Sequence, residues 1–322
     1  MTGQANRVPT RDGVLRAAAK VAEILPQTPL LPLDVDGVTI WCKAEMLQPI
    51  GSFKIRGAWH RLTDLTEEQR AKGVVGVSSG NHAQGVAWGS KRLGIAATIV
   101  MPSNAPQMKL DATRALGAEV VLYDRATESR DEVAANLLAV SGGTLVHAFG
   151  DPWVIEGQGS AGIEITEQLR EREMNGPDQI VACCGGGGLA SGLALACPDA
   201  EIIIVEPEGW DDIIRSLDAG EILPVKSLTH PTYCDALQTP QTHPINFEVL
   251  QRRVSKGFAV TTAEVAAAMR LVFEKLHLVV EPGGAVALAA VLAGRVELKG
   301  TTAVTLSGGN VDIDLFTKMI SA

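Results

Sequence analysis

The chain has 322 residues, 46% hydrophobic and 20% charged, with a formal net charge of −9. That length fits two domains, and the composition is that of an ordinary globular protein with ample material for a core. The acidic balance, without any run of Lys or Arg, excludes a basic nucleic-acid arm, and no apolar stretch is long enough to predict a membrane span.

Residues 13–24 predict a helix and 38–45 (VTIWCKAE) a strand. Helical character resumes in GSFKIRGAWHRL, residues 51–62. A repeated pattern follows: strand 74–79, helix 80–94, strand 96–102, helix 105–117, strand 118–124 and helix 129–140. A second series begins near Pro152, with a helix over 154–169 and a strand over 179–184 that runs into four glycines. A helix over 189–196 and a strand over 201–208 continue it. Residues 209–260 have weaker periodicity and predict irregular structure with short elements. Helices over 262–276 and 284–294 and a closing strand over 301–310 complete the chain.

Strands alternating with helices at this spacing predict βαβ units and parallel sheets. Apolar strands without polar alternation suit sheets covered on both faces. The expected fold class is therefore α/β, with two open parallel-sheet α/β domains and a ligand in the cleft between them, beyond the carboxyl ends of strands. The break at AFGDPW, 148–153, is a candidate domain crossing, and the expected division is a small domain over 48–150 and a large one over 1–47 and 151–322. The five cysteines are odd in number and irregularly spaced, which is neither a disulfide framework nor a zinc pattern. The N-terminus lacks an apolar signal segment, so a reduced, cytoplasmic protein is expected.

Four segments carry candidate chemistry. CGGGGLASG, 184–192, is a strand running into glycines and then a helix. Such a turn lets several N–H groups approach an anion at a helix N-terminus, and one phosphate group is the natural ligand. The same segment fits a dinucleotide fingerprint through Gly185, Gly187 and Ala190, with Glu206 at a later strand end, so a nicotinamide oxidoreductase is a rival reading. PIGSFKIRGA, 49–58, sets Lys54 at the start of a helical run; a cleft lysine forms Schiff bases when its pKa is lowered, while an exposed one is merely solvated. SSGNHAQG, 78–85, offers backbone N–H groups and short polar side chains to a carboxylate, or simply caps a helix. SGGNVD, 307–312, puts Ser307 at a carboxyl strand end.

In this order, and together with MPSNAPQMKLDATRALGAEV, EGQGSAG and EPGGAVALAA, these segments resemble the serine/threonine dehydratase family, the fold-type II or tryptophan-synthase-β-like pyridoxal-phosphate (PLP) enzymes. The resemblance runs from about residue 40 to the C-terminus. It implies a PLP-dependent ammonia-lyase that turns a β-hydroxy amino acid (L-threonine, L-serine or 3-hydroxyaspartate) into a 2-oxo acid and ammonia. Lys54 would carry the cofactor and move the α-proton, and Phe53 would pack on the pyridine ring. Asn81 would bond the cofactor's 3′-oxygen. Gly185, Gly186, Gly187, Gly188 and Leu189 would hold the phosphate, and Ser307 would meet the ring nitrogen. Ser78, Ser79, Asn81 and His82 lie where the substrate carboxylate belongs. Ser79 also matches the position that works on the opposite cofactor face in serine racemase-like members, which makes a racemase the alternative activity.

Two further matches concern metal and substrate. Glu206, Asp212 and the Trp210 carbonyl, in EPEGWDD, align with a divalent-metal site of racemase-like members; oxygen ligands suit Mg²⁺, Ca²⁺ or Mn²⁺. Arg130 matches an arginine near the cleft, where a guanidinium would pair bidentately with a β-carboxylate and favour 3-hydroxyaspartate; otherwise it is a surface arginine beside Asp131. CDALQTPQTHPINF, 234–247, departs from the family, with Ala236 where a glycine is usual. A homodimer and a small amino-acid substrate are the expected partners. The ending soon after SGGNVD predicts no regulatory domain.

Overall fold

A computed structural model of the chain describes residues 7–78, 80–105, 107–124 and 127–322 and, at position 108, the backbone only. Helix α1 (Arg11–Ala22) opens the fold, capped by the Thr10 hydroxyl, which accepts from Gly13 N. Strands β1 (Leu30–Val35) and β2 (Val38–Ala44) form an antiparallel hairpin. Asp36 and Gly37, with φ of 51° and 82°, make the left-handed turn that matches strand twist. The sequence reading places no strand over β1, because Pro32 and Asp34 interrupt the apolar run. It is an edge strand, where a proline's missing N–H is tolerated.

The chain then builds a small sheet through α2 (Lys54–Thr63), α3 (Glu67–Lys72), β3 (Val74–Val77), α4 (Asn81–Leu93), β4 (Ala97–Pro102), α5 (Gln107–Ala115), β5 (Glu119–Tyr123), α6 (Arg130–Ser141) and β6 (Thr144–Val146). Its four strands are parallel, in the order β5-β4-β3-β6. Leu62, Val86, Ile99 and Met101 form its core between helix and sheet.

Helix α7 (Pro152–Arg170), capped by Asp151, leads back to the larger sheet. There follow β7 (Gln179–Cys183), α8 (Gly188–Ala196), β8 (Glu201–Pro207), α9 (Asp212–Ala219), α10 (Pro244–Arg253), β9 (Val254–Val260), α11 (Thr262–Leu271), α12 (Pro282–Leu292), β10 (Thr302–Leu306) and α13 (Ile313–Ile320). The order is β1-β2-β10-β7-β8-β9, parallel except for β1. β7 and β10 are buried throughout, with their polar side chains Gln179, Thr302 and Thr305 hydrogen-bonded, and α12 is apolar on all sides because it too is interior.

One expectation is corrected. The helix predicted over 262–276 ends as α-helix at Leu271 and continues through a π-helical turn, Val272–Leu276. Residues 209–260 hold two regular helices and the edge strand β9. β9 was obscure because Ser255 and Lys256 are exposed on it.

A buried ionic cluster ties α2 to the larger body. Arg56 donates to both Glu45 oxygens (2.7 and 2.8 Å) and both Glu164 oxygens (2.6 and 2.8 Å). Lys43 on β2 reaches Glu164 at 2.6 Å.

Candidate active site

Each sheet reverses its strand order once. In the larger sheet β8 and β9 lie to one side of β7 and β10 to the other; in the smaller, β4 and β5 flank β3 on one side and β6 on the other. Connections diverging at such a point leave a crevice at the carboxyl strand ends. Both crevices open on one cavity of about 470 Å³. Cys183, Gly185 and Ser307 border it from the larger sheet, and Ser78 and His147 from the smaller.

Lys54 is the first residue of α2. The turn before it is stitched to the end of β10: Phe53 N donates to Ser307 O (3.1 Å) and Gly309 N to Gly51 O (2.9 Å). That pairing brings Lys54 and Ser307, 253 residues apart by subtraction of their numbers, to one wall. Lys54 Nζ donates to Ala148 O at 2.8 Å and lies 5.2 Å from the centre of the Phe53 ring. Burial lowers its pKa to about 8, against opposing pulls from Cys183 and Glu281. Ser307 Oγ accepts from the Cys183 thiol at 3.1 Å, which leaves its own hydroxyl proton to donate elsewhere.

The glycine turn, Gly185 to Gly188, runs into α8 with Leu189 on its first turn, and all five residues border the cavity. Two of the glycines are required by geometry. Gly187 has φ 88°, and a Cβ on Gly186 would lie 2.3 Å from the Phe149 ring. Thr242 Oγ1 and Asn246 Nδ2 donate to Gly186 O at 3.2 and 3.0 Å. The carbonyl of the turn is thereby held back, and its amides are left for an anion at the helix N-terminus.

Asn81 opens α4 behind Gly80 and is buried. His82 donates from Nε2 to Val146 O (2.8 Å), so its buried Nδ1 is a bare acceptor without a partner among the described residues. His147 is reversed: Nδ1 accepts from Gly150 N at 2.7 Å, which places its proton on Nε2. Burial, then neighbouring charge, lowers His82 to about 3 and His147 to about 4. Both rings are neutral at pH 7. Ser79 lies outside the described residues.

Arg130 begins α6 and borders the cavity; its side chain is 42% exposed and its ionic neighbour is Asp131 at 3.6 Å. The two readings of Arg130 describe one place, since the helix end beside Asp131 faces the cleft. Opposite, Lys109 on α5 pairs with Asp235, so an ion pair crosses the cleft.

Glu206, Trp210 and Asp212 gather away from the cavity, at the end of β8. Glu206 is fully buried and accepts from Ile213 N (3.2 Å) and Ile214 N (2.8 Å), an arrangement that leaves no face for a ribose. Asp212 accepts from Thr242 N (3.1 Å), and the Trp210 indole donates to His230 O (3.0 Å). Burial pushes Asp212 up to about 7 and Glu206 well above the carboxylate range, each raised further by a neighbouring acid. Among the described residues no group of three or more His, Cys, Asp or Glu side chains surrounds a metal position.

The sequence reading assigned no role to Glu281, Asn310, His147, Lys109 or Asp235. Glu281 and Asn310 sit inside segments that the resemblance covers, EPGGAV and LSGGN; that was the signal for them. His147 follows a three-residue strand too short to be read as one.

These residues fit pyridoxal phosphate. A phosphate-sized cradle of amides, a low-pKa lysine and a free serine hydroxyl face one cavity, and Phe53 lies beside them. A family profile described as pyridoxal-phosphate dependent enzyme matches residues 21–309. An L-threonine ammonia-lyase of Thermotoga maritima is 40% identical, covering 89% of this chain and 71% of its own. An L-threo-3-hydroxyaspartate ammonia-lyase of Saccharomyces cerevisiae is 36% identical over 98% of this chain and 97% of its own. The solved structure of maize serine racemase superposes with a TM-score of 0.90 at 33% identity, covering 98% of each chain.

Proposed function

The chain belongs to the family of pyridoxal-phosphate-dependent enzymes, and from that premise we propose that it is an ammonia-lyase that dehydrates 3-hydroxyaspartate in preference to serine or threonine. One observation carries the substrate choice. Of the cavity's cationic side chains, Lys109 is neutralised by Asp235, Lys54 is committed to the cofactor and both histidines are neutral. Arg130, with only the loose Asp131 contact, is the described cation left to meet a β-carboxylate.

Lys54 would hold the cofactor, Phe53 its ring, Asn81 its 3′-oxygen, Ser307 its ring nitrogen, and Gly185 to Leu189 its phosphate. When bound, the cofactor supplies an electron sink conjugated to the substrate α-carbon. Ser78 and Ser79, with the backbone N–H groups of Asn81 and His82 at the start of α4, bind the α-carboxylate; the His82 ring has no proton to give it. Lys54 Nζ, with a pKa of about 8, carries enough free base near neutral pH to take the α-proton. The β-hydroxyl leaves as water, the proton it takes up balancing the α-proton that Lys54 receives. The enamine product hydrolyses after release to a 2-oxo acid and ammonia. Ser307, unlike an aspartate, does not favour a protonated ring nitrogen, and elimination tolerates the weaker sink.

A panel of serine, threonine and both 3-hydroxyaspartate diastereomers, with oxo-acid detection, tests this. Arg130→Ala should depress kcat/KM on hydroxyaspartate far more than on serine; equal losses would reject the role of Arg130. Appearance of the opposite enantiomer with its hydroxyl intact would instead favour a racemase, with Ser79 on the second face.

The same reading places Mg²⁺, Ca²⁺ or Mn²⁺ on Glu206, Asp212 and the Trp210 carbonyl, supported by two buried acids, both raised by burial, whose charges a divalent cation would stabilise. It divides the chain into a small domain, 48–150, and a large one, 1–47 and 151–322, supported by the two separate sheets. A cytoplasmic homodimer completes it. Five buried free thiols support the reducing location, and sedimentation at twice the chain mass would support the dimer. No described helix is long and apolar enough to cross a membrane.

A further inference from the structure

Asn81 is held from both sides. Asn310 Nδ2 donates to Ile50 O (2.8 Å) and to Asn81 Oδ1 (2.7 Å), and Asn81 Nδ2 donates to Glu281 Oε1 (2.6 Å). A backbone carbonyl only accepts, so Ile50 fixes which end of the Asn310 amide is nitrogen. Asn310 must then donate to Asn81, which turns the Asn81 oxygen toward it and the Asn81 nitrogen toward Glu281. The orientation of a buried amide, usually open to a flip, is here dictated by the main chain two bonds away. Gly51 makes room for the relay: a Cβ there would stand 2.5 Å from Asn310 Oδ1.

Glu281 is turned to this task. It is the N-cap of α12, yet its side chain makes no bond to its own helix. It is 2% exposed and borders the cavity, and its Oε2 is buried without a partner among the described residues. Asn81 Nδ2 spends one N–H on Glu281 and keeps the other.

We propose that Asn310 and Glu281 are positioning residues that lock the Asn81 amide with its nitrogen toward the cavity, so that Asn81 presents a donor, not an acceptor, to the 3′-oxygen of the cofactor. A donor there favours the phenolate form of that oxygen over the phenol. The inference rests on the pyridoxal-phosphate reading.

The test is the ratio of long-wavelength (phenolate) to short-wavelength (phenol) absorption of the holoenzyme, with the cofactor dissociation constant of the apoenzyme alongside. Asn310→Asp replaces the donor by an acceptor, which forces Asn81 to flip. The expected result is a shift toward the phenol band and about tenfold weaker cofactor binding, the scale of one lost hydrogen bond to a charged partner. Glu281→Ala, which leaves the amide held from the Asn310 side alone and free to swing, should move the ratio the same way by less, and Glu281→Gln, which keeps the acceptor oxygen, should restore it. If Asn310→Asp does not fold, the Ala and Gln variants at Glu281 carry the test. Variants with the wild-type band ratio, and affinity within about twofold, would overturn the relay alone. A wild-type protein with no borohydride-sensitive visible band would overturn the cofactor reading and the relay with it.

Discussion

The lowered pKa of Lys54 makes a prediction that needs neither substrate nor turnover. Its amine titrates near 8 instead of the ordinary 10.5, because burial disfavours the charged form more than Cys183 and Glu281 restore it. At pH 8 half of the Lys54 amines are free base, against about one in 300 for a solvated lysine, an advantage of roughly 150-fold in nucleophile. The apoenzyme, labelled with trace acetic anhydride at a series of pH values and mapped by peptide mass, measures it directly. Labelling of Lys54 should reach half its plateau at about pH 8 and level off by about pH 9–10, while solvated lysines keep rising through pH 10. A Lys54 midpoint at about pH 10 or higher would refute the argument that the cavity wall desolvates this amine.

Arg56→Ala should destabilise the apoenzyme by about 3–5 kcal/mol in urea unfolding, since it strands the buried Glu45 carboxylate, while Glu164 keeps Lys43. Although burial opposes it, Arg56 holds the Glu45 pKa below its ordinary 4.5. The unfolded chain therefore binds the proton first as pH falls. The stability from this cluster is full above pH 4.5 and is lost as pH drops through the folded value, which a urea midpoint series below pH 5 reads out. Mg²⁺ should raise the unfolding temperature of the wild type and leave that of Asp212→Asn unchanged; an equal rise in both would remove the metal from Glu206, Trp210 and Asp212.

The parts of the site legible in sequence are those whose chemistry is local. Four glycines between a buried strand and a helix point to an anion site in the sequence, and the structure shows that two of them, Gly186 against Phe149 and Gly187 at φ 88°, are also sterically required. The βαβ alternation was legible because strands covered on both faces carry unbroken apolar runs. What stayed hidden depends on distant pairs. Asn81 is oriented by Glu281 and Asn310, 200 and 229 residues away, and nothing in the spacing of either announces the bond. β1 was hidden by a proline that its edge position permits. His147 drew no notice because its strand is short and its importance comes from where the sheet reverses, a property of topology and not of neighbours.

The segment 234–247 shows why the departure from the family falls where it does. Thr242 and Asn246 hold the Gly186 carbonyl. Leu237 packs on Gly185, where an added Cβ would lie 3.1 Å from the Leu237 Cα. Asp235 neutralises Lys109 across the cleft, and Ala236 borders the cavity between them. One stretch of chain thus grips the phosphate cradle from behind and sets the charge at its front. If Asp235 did not occupy Lys109, that ammonium would, under the proposed function, compete with Arg130 for a substrate carboxylate. Under the proposed function, cofactor grip and substrate choice are therefore coupled through this segment. A chain that changes what it dehydrates by altering 234–247 must also rebuild the hydrogen bonds that keep the glycine turn open.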